Sequence, residues 1–130
     1  MTTAYAMAAL AATKMVKDGL EPPEAWRRAV ALSCPSLSSQ VKPCPKGAFL
    51  GLCEEGLVSG VPAAPAGSYT ASQKNKDYAV RAVSILRRLP AGTVPNPATL
   101  WVNVLGGEWK QPNGQMEVVL ALWTAGLIPR

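Results

Sequence analysis

Few side chains in this sequence could do chemistry, and none of them is a histidine. Without an imidazole there is no Ser-His-Asp or Cys-His catalytic pair and no histidine metal site. What remains is Cys34, Cys44 and Cys53, the acid pair Glu54 and Glu55, and a set of lysines and arginines. Cys44 stands in Cys44-Pro45-Lys46-Gly47 at the start of a predicted helix, a geometry suited to a nucleophile or an anion site. With Lys46, Glu54 and Glu55 it outlines a thiol-dependent or small-ligand site, but no base stands beside it. Cys34 and Cys44 both precede proline. They could close a disulfide in an oxidising setting and are free thiols in a reducing one. No Cys-x-x-Cys spacing is present, so neither a metal site nor a cofactor is expected.

The acid pair carries more information. Glu54 and Glu55 fall in the last turn of a predicted helix, where the macrodipole disfavours negative charge. Their expected partners are Lys46, Arg27 or Arg28, or a basic surface on another molecule. Lys74, Asn75 and Lys76 open a later helix, where the dipole disfavours cations, and Arg81, Arg87 and Arg88 follow along its polar side. With Lys14 and Lys17 they form a candidate basic stripe for phosphates or an acidic protein. The second and third helices also allow a helix-turn-helix reading, and nucleic-acid binding would use the Lys74 to Arg88 helix together with Arg27 and Arg28. The loop between the second and third helices is far longer than the usual turn.

Six helices must position these groups. The first covers residues 3–18, with Gly19 as its left-handed stop. The second starts at residues 21–23, because proline is tolerated where no helical N–H partner exists. A Ser/Pro-rich loop follows, then a third helix over 45–55 stopped by Gly56. Residues 61–69 read as a linker. The fourth helix starts at a capping-box pattern, Thr70-Ala71-Ser72-Gln73, and ends against Pro90. The fifth starts near Pro97 and is broken by Gly106 and Gly107. The sixth covers 113–125 and stops at Gly126.

These landmarks recur in order. Tyr5, Ala9, Ala12 and Val16 fall on Tyr78, Ala82, Ile85 and Leu89 with one helical spacing. Gly19 falls on Gly92, Pro22 and Trp26 on Pro97 and Trp101, and Leu52 to Val58 on Leu122 to Ile128. The chain therefore reads as all-α, a tandem duplication of a three-helix unit. The first copy spans 1–60 and the second 70–130, sharing one core. Trp26, Trp101 and Trp123 are the expected large fillers, and Cys53, in the place of Trp123, a small buried one.

The 130 residues are 48% hydrophobic, enough for a core, and only 16% charged, with a net charge of +5. A surface so poor in charge often leaves apolar area for a partner. No apolar run approaches the ~20 residues of a membrane span and no export signal is evident, so no membrane partner and a cytoplasmic setting are expected.

The run from Cys44 to Val58, together with Ser72 to Ala79 and Met116 to Ile128, resembles a family of short bacterial proteins of unknown function. The resemblance implies an intracellular bacterial or phage protein and brings no activity with it. The expected function is a non-catalytic binding protein, an inhibitor or adaptor acting on a protein or nucleoprotein partner. Its profile is similar to that of small anti-CRISPR proteins of mobile elements. Nucleic-acid binding and a ligand site at Cys44 are the alternatives.

Overall fold

A computed structural model describes residues 3–130; Met1 and Thr2, which open the expected first copy, lie outside that range. Among the described residues the fold is all-α, with no β-strand. Helix α1 spans Ala4–Lys17, α2 Pro22–Ser33, α3 Leu37–Gln40, α4 Pro43–Glu54, α5 Gln73–Arg88, α6 Pro97–Leu105 and α7 Gln115–Thr124.

Local chemistry sets most boundaries. Thr3 caps α1 by accepting from the Ala6 amide at 3.2 Å. Pro22 and Pro97 occupy first turns, and the Asn96 side chain accepts from the Thr99 amide at 2.8 Å. The single turn α3 lies inside the expected Ser/Pro loop, where Ser36 accepts from the Ser39 amide. Helix α4 begins at Pro43, two residues earlier than expected. The Thr70 capping box does not form. The Thr70 hydroxyl accepts from the Ser72 amide, and Ser72, without a side-chain cap bond, begins α5.

Helices α4 and α7 are the most enclosed. From Pro45 to Glu54 only Lys46 is exposed. α4 packs on α5, α7 and α2, and α7 also packs on α1, α5 and α6. The alanine face of α1 (Ala8, Ala9, Ala12) and the alanines of α2 (Ala25, Ala29) are fully buried. Trp26 stacks on Phe49 at 5.2 Å, and Tyr78 meets Trp101 edge-on at 5.1 Å.

The two halves agree in some features and differ in others. α1 rests on α7 as α4 rests on α5. α4 and α7 end in the same turn: Leu57 N to Leu52 O at 3.1 Å, and Leu127 N to Leu122 O at 2.9 Å. Gly56 and Gly126 supply the left-handed residue, with φ +79° and +75°. The two turns touch, the Ser59 amide donating to Leu127 O at 2.7 Å.

Three expected equivalences need correction. Ile85 and Leu89 are only half-buried, because α5 turns Ala79, Val83 and Leu86 inward beside Tyr78 and Ala82. Gly92 is not a helix stop: Leu89 before Pro90 ends α5 in extended backbone, and Gly92 sits in the next turn. Trp123 is half-buried at the rim, with the Arg130 guanidinium 5.4 Å from its ring centroid. Cys53 is fully buried, as expected.

Candidate functional site

The densest polar cluster is built on Glu54, the last residue of α4. Gly51, one turn earlier, makes it possible. A Cβ there would stand 2.6 Å from Lys76 Cα, so α4 and α5 meet almost backbone to backbone. That contact carries the Lys76 ammonium to the end of α4. Lys76 Nζ lies 2.8 Å from Glu54 Oε1 and 3.3 Å from Glu55 Oε1. Glu54 Oε2 accepts from the Tyr69 amide at 2.9 Å and the Thr70 amide at 3.3 Å, and Oε1 from Gln73 Nε2 at 3.3 Å. The Glu54 carbonyl accepts from the Ala64 amide at 3.1 Å. One glutamate therefore fastens both the linker and the start of α5.

Glu54's side chain has no exposed surface and that of Lys76 is only 12% exposed. Burial alone would raise the carboxyl pKa. Hydrogen bonds from Lys76, the loop amides and Gln73 outweigh it and hold the group at about 2. The bond to Glu54, aided by Glu55, moves the Lys76 ammonium upward. Glu54 ionises more readily folded than unfolded, so its contribution is complete above its ordinary value of 4.5 and is lost as pH falls toward 2. Acid titration of unfolding free energy should show a loss of about 3 kcal/mol across that window, absent in Glu54→Gln.

This geometry corrects the expected partners. The acid pair meets Lys76, rather than Lys46, Arg27 or Arg28. Arg27 and Arg28 both bind Glu24 within α2. Cys44 and Lys46 stand at one end of α4 and Glu54 and Glu55 at the other, roughly 15 Å apart at ~1.5 Å per residue. They form no common site. Cys44 is half-buried, whereas Cys34 and Cys53 are buried, and burial raises the pKa of both enclosed thiols. A disulfide reagent should therefore titrate one thiol promptly in the native protein and three in denaturant. Prompt reaction of Cys53 would contradict the packing.

Lys76, Arg81, Arg87 and Asn75 of the basic stripe are bonded within the molecule. Arg81 pairs with Asp77 at 2.8 Å, and Arg87 donates twice to the Pro129 carbonyl, the shorter bond 2.7 Å. Asn75 donates to Ser72 Oγ at 2.8 Å and accepts from Gln115 at 3.2 Å. Lys14, Lys17, Lys74 and Arg88 remain exposed without ion pairs among the described residues. The acids and the stripe do border common clefts. Glu55, Lys74 and Lys76 line one of about 480 Å³, and Glu55, Arg87 and Arg88 line its neighbour of about 400 Å³. As for helix-turn-helix binding, α4 is the would-be reading helix, and it has almost no exposed face to present to a DNA groove.

Two grooves were not anticipated. One, of about 540 Å³ between α2, α3 and α4, is lined by Trp26, Pro23 and Val41 and by four charged residues, Glu21, Glu24, Arg27 and Lys46. The other, of about 450 Å³, runs between α1 and α7 and ends at Pro97. Thr3, Ala6 and Leu10 form one wall, Leu120, Ala121, Thr124 and Ala125 the other, and Glu117 is its only charged lining residue. The sequence held no local signal for it: of the further apolar residues Met7, Leu10, Ala11 and Met15 on α1, only Leu10 lines the groove.

No curated protein and no solved structure shows significant similarity to this chain. One family model matches residues 2–129, nearly the whole sequence, and the chain belongs to that family, a family of unknown function designated DUF6979.

Proposed function

We propose that this protein is a non-catalytic helical binding protein, an inhibitor or adaptor that acts through a protein or nucleoprotein partner. The supporting observation is the α1/α7 groove, which is mostly apolar and carries one charge in a chain of net +5. The α2/α3/α4 groove also has an apolar lining but carries four charged side chains, Glu21, Glu24, Arg27 and Lys46. The most conspicuous chemical groups are used internally: Glu54 and Lys76 fasten a loop, and Cys34 and Cys53 are core residues. A small phage or mobile-element inhibitor, anti-CRISPR-like in profile, fits this reading.

Tagged protein recovered from its source cells under several salt conditions should carry a partner at fixed stoichiometry. Recovery of the chain alone under all of them would overturn the reading. The nucleic-acid alternative is left with Lys74, Arg87 and Arg88 as cations of α5 without an ion pair among the described residues. It expects steeply salt-dependent gel shifts, weakened by Lys74→Glu. No shift at low salt would remove it.

A further inference from the structure

We infer that the α1/α7 groove receives an amphipathic helix of the partner, with an apolar ridge on the groove floor and a lysine or arginine against Glu117. This rests on the binding-protein reading above and names the partner's chemistry. Three observations lead to it.

The first is shape. The lining residues Thr3, Ala6 and Leu10 on α1 and its N-cap, and Glu117, Ala121 and Ala125 on α7 and its C-cap, recur at helical spacing. They cover roughly two turns of each helix, about 10–12 Å. Small side chains at Ala6, Ala121 and Ala125 leave room for a third backbone to approach.

The second is hydrogen bonding. The groove's hydroxyls are each already used once: Thr3 accepts from the Ala6 amide, and Thr124 donates to the Leu120 carbonyl. Its walls are helices whose backbone groups bond along their own axes. An extended peptide would bring a run of N–H and C=O groups that find few partners here. A helix brings its backbone satisfied, which is the helix-in-groove mode of recognition.

The third is charge. The molecule is basic, yet the single formal charge in this groove is negative. Glu117 makes no ion pair among the described residues. Its place in the first turn of α7 suits that helix, and it also leaves an acid facing an apolar channel. A cation on the partner helix complements it, and an acidic helix or nucleic acid does not.

The test uses the full chain and three labelled peptides of equal composition in their apolar ridge. One is flanked by lysines, one by glutamates, and one is the lysine form interrupted by proline. In fluorescence anisotropy the lysine helix should bind at least about fivefold more tightly than the glutamate helix, and the proline form should not bind. Ala125→Trp, at an exposed position on the groove wall, should weaken the lysine helix about tenfold, equivalent to ~1.4 kcal/mol. Glu117→Lys should invert the preference. Equal binding of all peptides, or binding indifferent to both variants, would overturn the inference. So would self-association abolished by Ala125→Trp, which would give the groove to a second copy. If a cellular partner is recovered equally by wild type and Ala125→Trp, the groove assignment falls and the binding-protein reading stands. If no partner is recovered, that reading falls whatever the peptides do.

Discussion

Glu54→Ala is expected to destabilise the protein by about 3–5 kcal/mol, seen as a lower urea midpoint at unchanged slope. The substitution strands the Lys76 ammonium in a site where its side chain is 12% exposed, with Glu55 at 3.3 Å as the only remaining counter-charge. It also removes the acceptor of the Tyr69 and Thr70 amides. Glu54→Gln keeps an acceptor oxygen and should lose less. The pair Glu54→Leu with Lys76→Met removes both charges together and should recover much of the loss, because the larger penalty lies in leaving one buried charge alone. A loss below about 1 kcal/mol for Glu54→Ala would mean that the pair is solvated like a surface ion pair.

Gly51→Ala is the second large effect. In an open helix the change would favour folding by about 1 kcal/mol. Here the new methyl would stand 2.5 Å from Lys76 Cβ and 2.6 Å from its Cα, and a backbone atom cannot step aside. We expect a net loss of about 2–3 kcal/mol in the same unfolding assay. The helices must separate, which pulls Lys76 from Glu54, so the acid-sensitive fraction of stability should shrink as well. Gly47→Ala is the comparison. Its nearest obstacle is the Asn75 side-chain Cβ at 2.8 Å, with no backbone atom among its nearest neighbours, and a smaller effect follows. A neutral Gly51→Ala would show that α4 and α5 can part without loss.

The helices were legible because their ends are written locally. Pro22 and Pro97 mark starts, and Gly19, Gly56, Gly106 and Gly126 mark stops through backbone chemistry that needs no distant partner. The single turn α3 was hidden, since a Ser-rich stretch reads as loop until Ser36 is seen to cap it. The Glu54 site was half visible. An acid at a helix C-terminus and a lysine at a helix N-terminus each oppose their own dipole. Both anomalies stood in the sequence, and each is the answer to the other. What the sequence could not show is that Gly51 brings α5 against α4 there, a contact between residues 25 positions apart. The internal bonds of the basic stripe were hidden in part for a related reason: Asp77 pairs with Arg81 and the Pro129 carbonyl holds Arg87, and only the fold brings Pro129 to α5. The α1/α7 groove depends on a pairing of helices at opposite ends of the chain, which no local pattern encodes.

That pairing also bears on the order of assembly. The face that α1 turns to α7 has no cover until the last helix has been made, roughly a hundred residues later. Helical proteins with neighbouring partners fold fast because their contacts are short-range. Closing nearly the whole chain is slower, and until it happens a nascent chain exposes the apolar sides of both α1 and α4. Refolding should therefore be markedly slower than is usual for a helical protein of this size. A chain stopped before α7 should remain collapsed and prone to aggregate, lacking the helix on which α1, α4, α5 and α6 all converge.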